Sequence, residues 1–88
     1  MNERDFFEAR AKSIIKDLRE EKGLSYKELA RRLESQGMRI DVQVLINRVN
    51  QGKFSFAFAL RLLAAMGAEH VDVPRMQSLT GQTGEKHP

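Results

Sequence analysis

The stretch from Leu24 to Phe54, LSYKELARRLESQGMRIDVQVLINRVNQGKF, constrains this chain more than any other. It carries two short apolar periodicities, each followed by a glycine. Tyr26, Leu29, Ala30 and Leu33 recur at i, i+3, i+4 and i+7, which predicts a helix over Tyr26–Gln36. Ser25 stands before it as an N-cap, with Glu28 at the third helical position. That S-x-x-E pattern is a capping box. Gly37 supplies the left-handed conformation that stops a helix. Val42, Leu45, Ile46 and Val49 then repeat the same spacing, Asp41 can cap them, and Gly52 closes the segment. A second helix is therefore expected over Val42–Gln51.

Helical patterns flank this pair. Phe7, Ala11, Ile14, Ile15 and Leu18 predict the buried face of a first helix over Glu3–Lys22, with Phe6 at its edge and Asn2 as its cap. Gly23 ends it, and Leu24 is placed for the apolar contact that accompanies such ends. Phe54 and Ser55 read as a hydrophobic staple and N-cap for a fourth helix, Phe56–Met66, written FAFALRLLAAM. That helix is apolar almost all round, and Arg61 is its only charge. A domain of this size cannot cover two apolar faces from within, so a second copy is expected against Phe56, Leu60 and Leu63. After Gly67, residues 69–73 alternate, with Val71 and Val73 on one face, and Pro74 stops them. They read as a short strand with no partner in their own chain, and its natural partner is the same strand across a dimer. Residues 74–88 are rich in Gly, Thr and Gln, lack periodicity, and read as a disordered tail. One domain over residues 1–73 results.

Two helices joined by a glycine-containing turn are the helix-turn-helix pattern. LREEKGLSYKELARRL and LINRVNQGKF resemble the helix-turn-helix domains of the lambda and 434 repressor and Cro class. The whole stretch, QGKFSFAFALRLLAAMG above all, also resembles an uncharacterised family of small bacterial proteins. The resemblance runs from about Phe7 to Val73. It departs at Glu34 to Asp41, which is longer than the usual turn of roughly 3–4 residues. The fold class expected is all-α: a four-helix repressor-like helix-turn-helix domain with a short C-terminal β-strand.

Charge placement points the same way. The net charge is only +3, yet seven basic residues stand against three acidic ones from Lys22 to Lys53. That segment is +4 and the remainder −1, a footprint suited to phosphate. The competing reading is that these are ordinary solvated helix faces. There is no cysteine, hence no disulfide framework and no thiolate chemistry. The N-terminus lacks the apolar core of a signal peptide, and no apolar run approaches membrane-spanning length. A cytoplasmic location is expected. His70 and His87 have no second ligand at metal spacing, and neither a phosphate-binding glycine loop nor a nucleophile motif is present. No enzyme, cofactor, metal or small-molecule ligand is expected.

The function expected is sequence-specific binding of double-stranded DNA by a small homodimeric bacterial regulator of transcription. The repressor resemblance matches Gln43, Val44 and Arg48 to base-reading positions, and Asn47 shares their outward face. Gln can pair with adenine, Arg with guanine, and Val can touch a thymine methyl. Tyr26 matches a backbone-contacting position, although it also ends the apolar stripe of its own helix. Lys27, Arg31 and Lys53 are the further phosphate contacts expected. The alternative is a homodimeric protein-interaction module that keeps this scaffold without reading DNA. The long turn and the negative charge of Asp41 favour it.

Overall fold

A computed structural model describes residues 3–75, with side chains from Phe6 onward. Asn2 and residues 76–88 lie outside the described residues, and with them the expected first cap and most of the expected tail. The described residues form four helices: α1 Glu3–Glu21, α2 Tyr26–Ser35, α3 Val42–Gln51 and α4 Phe56–Ala65. α1 packs on α3, α3 on α2, and α2 on α4.

Local chemistry sets the ends of the helices. Ser25 Oγ accepts from the Glu28 amide at 3.0 Å, and Ser55 Oγ accepts from the Phe58 amide at 3.0 Å. After α2, the amides of Gly37 and Met38 donate back to the carbonyls of Glu34 and Leu33, with Gly37 at φ +96°. This pairing satisfies two carbonyls that the helix itself leaves open. α1 and α4 end in the same way at Gly23 and Gly67.

The core joins Ile15 of α1, Leu24, Leu29 and Leu33 beside α2, Leu45 and Val49 of α3, and Phe58, Leu62 and Met66 of α4. Each such side chain contributes about 1.5–3 kcal/mol on leaving water. Met38 and Ile40 pack against this core from the α2–α3 connection. The long turn is thus anchored by two of its own side chains.

Three expectations change. Phe7 is 47% exposed rather than part of the buried face; its ring meets Phe6 edge-on at 5.0 Å, and Phe6 is the more covered of the two. The Glu28 carboxylate does not return to the Ser25 amide to close the capping box, because two arginines hold it instead. Residues 69–73 form no strand, since among the described residues no other extended segment pairs with them. Among the described residues, no helix is long and apolar enough to cross a membrane.

Candidate nucleic-acid interface

The Asp41 carboxylate starts α3 by accepting from the amides of Gln43 at 3.0 Å and Val44 at 3.3 Å. Its negative charge therefore meets the positive end of the helix dipole. At the other end Gly52 adopts φ +67° and lies against α1. A Cβ built there would stand 2.2 Å from the carbonyl oxygen of Glu8. Leu45 and Val49 face the core, so the opposite side of α3 is turned outward.

That outward side is polar and continuous. Gln43, Asn47 and Asn50 fall on it at helical spacing and all are exposed. Gln43 Nε2 donates to Asn47 Oδ1 at 3.1 Å, and Lys16 Nζ of α1 donates to Asn50 Oδ1 at 3.4 Å. Val44 is 46% exposed beside them, an apolar side chain on an otherwise polar strip. Arg48 sits at the border of the strip. Its guanidinium lies over the Phe58 ring at 3.9 Å from the centroid, which turns it toward α4.

α2 holds most of its charge in internal pairs. Glu28 accepts from Arg31 at 2.6 and 2.9 Å and from Arg32 at 3.1 Å. Those hydrogen bonds hold the Glu28 carboxyl down at about 2, from an ordinary 4.5, and push the Arg31 guanidinium up. Arg32 also donates to the Ala65 carbonyl at 3.1 Å, and Gln36 to the Arg61 carbonyl at 3.1 Å, so α2 clasps α4. Arg39 pairs with Glu34 at 3.5 Å.

The eight residues expected to meet DNA thus divide. Gln43, Val44 and Asn47 share one exposed face, and Lys27 and Lys53 are exposed as well. Arg31 is exposed but held by Glu28. Arg48 is stacked on Phe58. Tyr26 presents no hydroxyl to solvent: its Oη is buried without a hydrogen-bond partner, and the Arg19 guanidinium covers its ring at 4.2 Å. Arg19 is fixed there by donating to the Leu24 carbonyl at 2.7 Å. Asn50 was legible from its spacing to Asn47 and Gln43. Lys16 was not, because only packing brings α1 beside α3.

Of the expected dimer residues, Phe56 is 78% and Leu60 49% exposed on one face of α4. Leu63 packs partly against the core. Val73 is exposed, and Val71 lines a groove of about 410 Å³ against Arg10, Ile14 and Leu18 of α1.

Residues 7–71 match the family described as Domain of unknown function (DUF6471). The chain belongs to that family. In this DUF6471 chain the match takes in most of α1, the whole of α2, α3 and α4, and His70 and Val71 of the segment that lines the α1 groove. No curated protein and no solved structure matches it.

Proposed function

We propose that the protein binds double-stranded DNA as a homodimer, with α3 laid in the major groove, and acts as a small regulator of transcription. One observation carries this reading. α3 turns a strip of amide side chains, Gln43, Asn47 and Asn50, to solvent on a helix whose other side is fixed in the core. Amides are both donors and acceptors, as the edge of an adenine requires, and Val44 beside them suits a thymine methyl. The repressor-like pattern of α2 and α3 and the +4 segment from Lys22 to Lys53 support it. The dimer is the second part of the proposal. Phe56 and Leu60 of two copies pack together, and residues 69–73 pair antiparallel across the axis as the short β-strand. Such a dimer sets two α3 helices about one turn of DNA apart and reads a palindrome.

Selection of bound duplexes from a random pool tests the reading. It predicts an enriched palindrome, and a pool that returns unchanged rejects sequence-specific binding.

A second reading, a homodimeric protein-interaction module, draws on the arginines. Arg31, Arg32 and Arg48 are engaged within the molecule, and a carboxylate caps α3. Neutral outer faces of this kind suit a protein surface. This reading predicts binding that persists at high salt and no enriched sequence.

A further inference from the structure

α1 contributes nothing to the interface proposed above, yet one of its side chains reaches it. Lys16 Nζ lies 3.4 Å from Asn50 Oδ1, and Asn50 ends the exposed amide strip of α3. Lys12 stands one turn earlier on the same side of α1. One turn earlier again, the backbone of Glu8 meets Gly52, which precedes the exposed Lys53. Packing therefore gathers Lys12, Lys16 and Lys53 around the C-terminal end of α3, although 41 positions of sequence separate the first from the last.

We infer that Lys16, steered by Asn50, and Lys12 beside it form a phosphate-binding flank at the C-terminal end of α3. The inference rests on the DNA-binding reading and adds to it a contact from α1. A helix lying in a groove about 12 Å wide has the phosphates of the bounding strands close to its ends and flanks. A lysine there meets a phosphate oxygen as a point charge, and it fixes orientation without reading sequence. Asn50 accepts from Lys16 through its amide oxygen, which holds the ammonium beside the strip without neutralising it. The carboxylates at helical spacing from the two lysines are Glu20, one turn beyond Lys16, with an oxygen 4.0 Å from Arg19, and Glu8, one turn before Lys12.

The test is a salt series with a labelled random-sequence duplex, using the full chain. Lys16→Gln keeps an amide donor for Asn50 but removes the charge. The log–log slope of affinity against salt is expected to become shallower by about 0.9 per copy, near 1.8 for a dimer. Lys16→Arg should restore the wild-type slope, and the melting temperature of Lys16→Gln should match that of the wild type. Lys12→Gln should give the same direction of change without touching the Asn50 bond. An unchanged slope with a lowered melting temperature makes Lys16 a brace between α1 and α3 and overturns the inference. An unchanged slope with unchanged melting overturns it equally. If the wild type binds no duplex at low salt, the DNA reading itself falls. If the wild type binds and only the Lys16 slope stays put, this flank alone falls.

Discussion

α3 and α4 have the same length, and each is capped by a side-chain oxygen, yet they offer solvent opposite chemistry. Each spans ten residues and buries one face in the same core. The other face of α3 carries Gln43, Asn47 and Asn50, whereas that of α4 carries Phe56 and Leu60. Water already satisfies the amides of α3, so a partner must replace those hydrogen bonds one for one and can be discriminated by them. Water gains nothing from the rings and methyls of α4, so that face favours any dry surface of the right shape. Under the proposed function, the two faces would serve separate tasks, recognition for α3 and association for α4.

The sharpest way to break that division is to charge the α4 face. Leu60→Asp should convert a dimer into a monomer in sedimentation while leaving the helical circular dichroism intact. Two lost leucines at the interface cost roughly 3–6 kcal/mol of association. A wild-type protein that is already monomeric at micromolar concentration removes the association task from α4.

Gly52→Ala attacks the other helix through its anchor. The added methyl meets the Glu8 carbonyl of α1 and forces a residue with a Cβ into φ +67°. Overpacking and backbone strain together should cost about 3 kcal/mol in thermal unfolding. A loss below about 1 kcal/mol would mean that α1 and α3 separate easily and that α3 is not rigidly presented.

Substitutions on the strip itself sharpen the recognition half. Gln43→Ala should weaken the selected duplex by about 1–3 kcal/mol and leave random duplex unaffected. Arg48→Ala should instead lower unfolding stability by about 0.5–2 kcal/mol through loss of its contact with Phe58. Equal losses of Gln43→Ala on selected and random DNA would reduce the strip to non-specific contacts.

The smallest expected effect concerns pH. The Glu28 side chain is 34% exposed and those of Arg31 and Arg32 more so, so these pairs are screened and their contribution is modest. Its carboxyl is depressed to about 2, so whatever stability it adds is fully present above an unfolded value near 4.5. That stability fades as pH falls toward 2. The difference in α2 helicity between wild type and Glu28→Gln should therefore close across that window. A Glu28 carboxyl resonance that titrates near 4.5 would show that the arginines are free for other partners.

The four helices were legible because their signals are local. Apolar spacing, a capping oxygen and a glycine act within one turn of the chain, so Ser25, Gly37, Asp41, Gly52 and Ser55 mark helix ends before any packing is known. The Glu28 pairs within α2 are local too, but the fate of other polar side chains was not. Arg48 reads as an outward-facing cation until Phe58, ten positions on, lies beneath it. Tyr26 reads as a surface hydroxyl until Arg19 covers the ring. Residues 69–73 alternate like a strand, but a strand needs a second one, and the described residues supply none.

By itself, then, the sequence determined where helices begin and end and which face of each avoids water, since both follow from periodicity and backbone hydrogen bonding between near neighbours. Only the tertiary structure decided which polar groups remain for a partner. It ties Arg32 of α2 to the Ala65 carbonyl of α4 and stacks Arg48 on Phe58. It hides the hydroxyl of Tyr26 and brings Lys16 of α1 to Asn50 of α3. A long, flexible side chain takes whatever acceptor or ring the packed helices place within its reach, and that reach spans elements far apart in the chain.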